Sequence, residues 1–573
     1  MLLRNCLLPG LLWALVSCSD AGQPTSKIAI EPARPQFDLL IENGMVYDGL
    51  GSEPYRADIG INGDRIGAIG LDLGTADTFI DATGQAVAPG FINMLSWANE
   101  SLIQDGRSMS DIHQGVTLEV MGEGWSMGPL NEAMKAEMLE QQNDIKFAIE
   151  WTTLGEYLQY LQDRGISPNV ASFVGATTVR IHEVGYEDRA PTTEELQRMQ
   201  DLVRQSMEEG ALGLGSSLIY APAFFAGSGE LIALSRVAAE YGGRYISHIR
   251  NEGNRLNEAV EELITIAREA GIGAEIYHLK TAGKDNWGKL DSVFDQVAAA
   301  RAKGLDISAD MYTYVAGATG LSAAMPLWVQ EGGHDAWVER LKDPDIRARL
   351  EKEMNTPTDE WDNLYLAAGG AENILLIGFK NPALKPLTGK TLAEVAQMRG
   401  TSPEITIMDL VIEDDSRVSA AYFLMDERNI RKKIAQPWVA FGSDEESKAI
   451  EGVFLQYNSH PRAFGNFARL LGKYVRDEKV ISLPEAVRRL TSFPARNLKI
   501  KERGELRPGY YADIVVFDPA TIQDHATFAE PHQYATGVAH VLVNGTPVLL
   551  NGEHTGAKPG RFIKGPGWKA QPK

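Results

Sequence analysis

Cysteine is almost absent from this chain: Cys6 and Cys18 are the only two among 573 residues. Everything after Cys18 therefore lacks a thiol, which excludes an internal disulfide, a thiolate nucleophile and a cysteine metal ligand in the folded body. Protein-derived metal ligands there must be histidine, aspartate, glutamate or a modified lysine. Positive charge is also scarce, with 55 Lys and Arg against 77 Asp and Glu and a formal net charge of -22. That balance argues against nucleic acid or an anionic membrane surface as the main partner. Phosphate-cradling loops are missing too, since Gly49-Leu50-Gly51 and Gly213-Leu214-Gly215-Ser216-Ser217 lack the surrounding pattern of a dinucleotide or phosphate site. Gly124-Trp125-Ser126-Met127-Gly128 has the spacing of a nucleophile elbow, but the Pro129 that follows disfavours the helix such an elbow needs.

The apolar run Leu7 to Val16 is too short to span a bilayer and follows Arg4, so residues 1–17 read as an export signal. The run ends Leu15-Val16-Ser17-Cys18, which resembles the lipobox of bacterial lipoproteins. That resemblance implies a lipid anchor at Cys18, a tether over 18–36, and a place in the cell envelope or periplasm. A simple secretory signal cut near Ser17 or Gly22 is the alternative.

The length allows more than one domain. From Phe37 to Leu71, apolar runs are separated by Asn43-Gly44 and Asn62-Gly63-Asp64, the turn chemistry of hairpins. Ala512 to Phe517 and Val538 to Val543, followed by Asn544-Gly545, have the same character. They predict one small β-sandwich domain built from both chain ends, 37–88 and 500–573. Between them short apolar runs alternate with helical patterns, the rhythm of a parallel barrel. Candidate strands are Ala88 to Ile92, Leu118 to Met121, Val170 to Val174, Leu212 to Ser216, Arg244 to Ser247, Ala274 to Tyr277, Asp306 to Ala309 and Trp438 to Phe441. The fold class is therefore α/β, a (β/α)8 TIM-like barrel over 89–327 and 432–499. Helices are predicted at Asn131 to Asn143, Thr193 to Glu209, Glu230 to Tyr241, Leu256 to Ala270 and Leu290 to Arg301, with Thr192 to Glu195 as one cap. The spacing breaks over 328–431, an insert over or beside the barrel mouth, which suits a lid or a lateral contact surface equally.

Two of the ten histidines are placed alike. His248 follows Arg244 to Ser247, and His278 follows Glu275 to Tyr277; each ends an apolar or β-branched run and opens a polar segment. In a β/α barrel such strand ends converge on one mouth. Two imidazoles there make half of a zinc site that a carboxylate can complete. Taken singly, each also reads as an ordinary hydrogen-bonded histidine. Asp444, after Gly442-Ser443 at the end of the last candidate strand, is by pattern alone a catalytic carboxylate or a turn residue.

Ala88-Pro89-Gly90-Phe91-Ile92, Ser216-Ser217-Leu218-Ile219-Tyr220-Ala221-Pro222, His248-Ile249-Arg250-Asn251-Glu252, His278-Leu279-Lys280, Asp310-Met311-Tyr312-Thr313-Tyr314, Gly442-Ser443-Asp444 and His460-Pro461-Arg462-Ala463-Phe464-Gly465 occur in consistent order. Together they resemble the D-aminoacylase (N-acyl-D-amino-acid deacylase) family of the amidohydrolase superfamily, from about Phe37 to the end. The resemblance implies a zinc-dependent hydrolase of the amide of N-acyl amino acids, often of D configuration. It implies one zinc per chain on His248, His278 and a third ligand from an early strand end. That ligand is a cysteine in some members; here Glu123 takes the place, with Glu119 as runner-up. The resemblance further implies Asp444 as the base that moves the proton from water to the leaving amine. Lys280, Tyr312 and Arg462 would hold the substrate carboxylate or carbonyl, and Arg250 and Glu252 would orient the metal ligands.

One departure stands out. The superfamily's His-x-His pair falls on Leu95 and Trp97, neither of which binds zinc. A second metal position is therefore expected to be absent, and Trp97 is expected either to wall an acyl group or to sit in the core. The loss leaves two other readings open: a dipeptidase-like hydrolase of envelope peptides, and a catalytically inactive binding protein on the same barrel.

Overall fold

The structure is a computed structural model describing residues 36–570. The signal-like stretch, Cys18 and the tether up to residue 35 lie outside the described residues.

Both chain ends enter one nine-stranded mixed sheet. Gln36–Val46 pairs antiparallel with Tyr55–Asn62 and parallel with Ala86–Pro89. Ile514–Phe517 then lies antiparallel on Ala86–Pro89, with Val515 opposite Ala88, and leads to Val538–Val543 and Thr546–Leu550. Because side chains alternate along each strand, one face collects Ile41, Ile59, Ile61, Val87, Ile514 and Leu542 into a separate buried core. This is the β-sandwich formed from both termini.

The barrel comprises eight parallel positions: Phe91–Asn93, Val116–Met121, 169–175, Gly213–Ser217, Arg244–His248, Gly273–Ile276, Ile307–Ala309 and 438–441. The last closes the ring: Ala309 bridges Val439, and the Met94 N–H donates to the Phe441 carbonyl. The run expected as a single strand, Ala88 to Ile92, is divided. Ala86–Pro89 belongs to the terminal sheet and Phe91–Asn93 to the barrel, so the barrel begins at Phe91 rather than 89. Gly90 between them passes so close to Thr117 that a Cβ would lie 2.1 Å from its Oγ1, leaving room for bare backbone only. Ile92, Leu118, Val120, Phe173, Ile246 and Tyr277 fill the interior, so the barrel is a packed core and function falls to its C-terminal mouth.

Helices surround the ring. Thr193–Glu209 opens with a capping box: Thr192 Oγ1 accepts the Glu195 N–H at 3.2 Å, and the Glu195 carboxylate accepts the Thr192 N–H at 2.7 Å. Leu154–Arg164 and Ala176–Glu183 were not expected. In the latter, all but the last two residues are buried, Thr177, Thr178 and Arg180 among them, so its polar residues do not mark an exposed side. The insert builds a three-stranded antiparallel sheet, Ala316–Gly320, Ser419–Phe423 and Ile374–Gly378, with its own core around Leu376, Ile407 and Tyr422. Its first strand thus starts before the expected boundary at 328. Among the described residues, no helix is long and apolar enough to cross a membrane.

Candidate metal centre

Three strand ends deliver one buried cluster. His248 is the last residue of Arg244–His248, and His278 lies two residues beyond Gly273–Ile276. Glu123 follows Val116–Met121 between Gly122 (φ 103°) and Gly124 (φ 70°), left-handed positions that turn the chain so that the carboxylate meets the imidazoles. Glu123 Oε1 lies 3.0 Å from His248 Nδ1 and 2.8 Å from His278 Nε2. The three ligand atoms fall within 4.8 Å of one another, and the two rings meet edge to face at 4.4 Å. One carboxylate oxygen and two imidazole nitrogens, all buried, match the donor set of a zinc site with a position left for water or substrate. Burial alone would push the Glu123 carboxyl up; the two histidines outweigh it and hold it well below its ordinary value.

Behind the ligands stands Glu252. Its carboxylate is 3.2 Å from His278 Nδ1 and 3.5 Å from His248 Nε2, the nitrogens facing away from Glu123. The carboxylate is close enough to His278 to orient its ring, whereas His248 Nε2 is buried without a hydrogen bond. Lys280 Nζ donates to Glu252 Oε1 at 2.7 Å and lies 2.6 Å from His278 Nδ1. Two further carboxylates hold backbone: Asp310 Oδ1 accepts the His278 N–H at 2.7 Å, and Asp362 Oδ2, from the insert, accepts the Glu252 N–H at 2.6 Å. His278 (φ 33°) and Asp444 (φ 52°) both occupy the left-handed region, uncommon for residues with side chains and frequent where a site constrains the backbone.

Asp444 faces the cluster from the closing strand. Its N–H donates to the Leu95 carbonyl at 2.8 Å, and Ser443 is pinned by Asn93 on both its N–H and its hydroxyl, each at 2.8 Å. Asp444 Oδ2 lies 2.7 Å from Arg462 Nη1. Burial pushes the Asp444 carboxyl up, against the pull of Arg462. The Arg462 guanidinium stacks 4.3 Å over the Tyr312 ring. Arg462 Nε and Tyr312 Oη are buried without a hydrogen-bond partner and belong to residues lining a cavity of about 680 Å³ that opens from the cluster between barrel and insert.

Three expectations change. Glu119 is outside the cluster: fully buried, it accepts from Ser96 and Ser108 hydroxyls instead. Arg250 does not orient the ligands; its guanidinium pairs with Glu262 at 2.8 and 2.9 Å and holds the Phe224 and Ala226 carbonyls. Trp97 is neither a plain apolar wall nor core, because its indole N–H lies 3.0 Å from Glu123 Oε2 and 3.2 Å from Asp444 Oδ1. Leu95 is fully buried among the barrel's interior residues. The sequence assigns no site role to Asn93, Asp310 or Asp362, although Asp310 opens the motif that contains Tyr312 at a strand end.

A β/α barrel with a buried His-His-Glu cluster at its strand ends and an aspartate on the closing strand defines a metal-dependent hydrolase. The amidohydrolase family profile matches residues 78–549. The chain is 33% identical over 532 residues to D-aminoacylase of Alcaligenes xylosoxydans xylosoxydans, covering 92% of this chain and 97% of that protein. It is 31% identical to the N-acyl-D-glutamate deacylase of the same organism, with the same coverage. Among solved structures, N-acyl-D-glutamate deacylase from Bordetella bronchiseptica, complexed with zinc and a phosphonate mimic of the tetrahedral intermediate, superposes with a TM-score of 0.77. It is 30% identical and covers 92% of this chain and all of that one. The chain belongs to the D-aminoacylase/N-acyl-D-amino-acid deacylase family of the amidohydrolase superfamily. It is an enzyme, and Glu123, His248 and His278 provide one zinc-type site per chain.

Proposed function

We propose that the enzyme hydrolyses the amide bond of N-acyl amino acids, preferring the D configuration, and that Asp444 is its proton carrier. The observation that carries this reading is the convergence of the metal-ligating cluster and the Arg462-paired Asp444 on one cavity. Zinc bound at that cluster supplies a Lewis acid for the scissile carbonyl and lowers the pKa of water.

The chain's own residues do the rest. Asp444, buried and held at both oxygens, takes the proton from the attacking water and returns it to the leaving amine. The substrate carboxylate reaches Arg462 Nε and Tyr312 Oη, buried polar atoms beside Asp444 that make no hydrogen bond within the chain. Lys280 adds positive charge but spends its hydrogen bonds on Glu252 and His278, so it acts chiefly on the ligands. The buried surroundings strengthen these contacts by excluding water. The D preference is supported by the activities for which the Alcaligenes relatives are named. The test is amine release from matched N-acetyl-D and N-acetyl-L amino acids; turnover of L compounds only would overturn the stereochemical assignment, and turnover of dipeptides alone would replace it with a dipeptidase.

The insert places Trp337 and Arg417 in the cavity wall, which supports a lid role. The Leu15-Val16-Ser17-Cys18 ending supports export and lipid anchoring at Cys18. Labelled palmitate appearing in the wild type but not in Cys18→Ala would be the expected result, and equal labelling would reject the anchor.

A further inference from the structure

We infer that Trp97 is a positioning residue whose indole N–H joins the metal-ligating carboxylate to the proton carrier and keeps the site mononuclear. The inference rests on the hydrolytic metal centre proposed above.

Its basis is a single donor shared by two carboxylates. The Trp97 N–H is 3.0 Å from Glu123 Oε2 and 3.2 Å from Asp444 Oδ1. Glu123 turns its other oxygen, Oε1, to both histidines, and Asp444 turns its other oxygen to Arg462. Each carboxylate is thus gripped at both ends, and the indole supplies the inner grip for both. Two buried carboxylates that converge without a donor between them repel, and they recruit a proton or a cation. The indole N–H satisfies both while bringing no charge and no titratable proton. It also occupies the bridging position, so a cation contacting Glu123 Oε2 and Asp444 Oδ1 together would have to displace the ring. The ring itself packs, partly buried, against the barrel-interior core that contains Leu95.

Two consequences follow for the chemistry. Glu123 is restricted to one oxygen toward the histidines, and Asp444 is oriented by Arg462 and Trp97 jointly rather than by Arg462 alone. Partners that orient metal ligands in this way alter metal affinity or activity about tenfold to a hundredfold when removed.

The experiment combines zinc stoichiometry of chelator-stripped protein with kinetics. Elemental analysis of the wild type in excess zinc is expected to saturate at one zinc per chain; a second tightly held equivalent would overturn the inference. Trp97→Phe keeps an aromatic ring and deletes the N–H. It is expected to bind one zinc about tenfold or more weakly, and to lose at least about tenfold in kcat with KM changed less than about twofold. A folded Trp97→Phe with wild-type zinc affinity and kcat would overturn the inference. If Trp97→Phe does not fold, Trp97→Met, which keeps apolar bulk without a donor, is read by the same zinc affinity and kcat. A wild type that binds no zinc would fail the underlying reading instead, so the two failures are distinguishable.

Discussion

Asp444→Asn separates catalysis from metal binding. The aspartate accepts a hydrogen bond from the Trp97 indole N–H at Oδ1 and forms an ion pair with the Arg462 guanidinium at Oδ2. Asparagine offers one carbonyl oxygen, so one of those two partners must face an NH2 group. In either arrangement the buried guanidinium loses its countercharge, about 3 kcal/mol or more; if Arg462 faces the oxygen it keeps a polar partner, and the indole N–H still has Glu123 Oε2. That arrangement costs less, so the variant is expected to fold with a lowered Tm. Glu123, His248 and His278 are untouched, so zinc content is expected to stay at one per chain. Catalysis, however, loses its proton carrier, which is worth about 10²- to 10⁴-fold, or about 3–5 kcal/mol of barrier. The assay is amine release under saturating substrate, with elemental analysis and thermal unfolding of the same preparation. Activity within tenfold of wild type in a folded, zinc-loaded variant would refute the role given to Asp444.

Other perturbations act on separate parts of the account. His248→Ala removes one of three ligands and is expected to lower zinc content and activity together; unchanged zinc would sink the ligand assignment. Because burial raises the Asp444 carboxyl and the base must be ionised, kcat/KM is expected to fall as pH drops through a value above the ordinary 3.8 of aspartate. A profile flat down to pH 4 would contradict this. Glu100, lining the cavity, is pushed up to about 7 by burial and by repulsion from Glu446. A raised acid keeps in the folded state a proton the unfolded chain has already released, so stability falls as pH rises from about 4.5 through 7, by up to about 3 kcal/mol. Glu100→Gln is therefore expected to raise Tm at pH 8 and to leave it near wild type at pH 4; equal effects at both would reject the cause.

The barrel was legible because its strands are short apolar runs set between amphipathic helices, and the helices Thr193–Glu209 and Leu256–Ala270 carry that period strongly. The helix Ala176–Glu183 is short and buries its polar Thr177, Thr178 and Arg180 along with its apolar residues. The positions of His248 and His278 could be read as strand ends. Their partners could not, because those contacts join distant segments: Glu252 reaches His278, Asp362 reaches back from the insert, and Asn93 pins Ser443 across the closing seam. Arg250 shows the converse error. It adjoins His248 in sequence, but its side chain turns outward to Glu262 on the following helix. Trp97 is the instructive residue: sequence registers only the loss of a histidine, and the gain of a hydrogen bond to two carboxylates depends on strands that begin at Phe91, Val116 and Trp438.

Zinc dependence of turnover tests the central claim most directly. The protein, stripped with chelator and dialysed free of it, would be titrated with zinc while amine release from an N-acetyl-D-amino acid is followed. The stripped enzyme is expected to show negligible activity and to recover in proportion to zinc up to one equivalent per chain. Full activity without zinc, or none at any zinc level across the N-acyl panel, would contradict that claim.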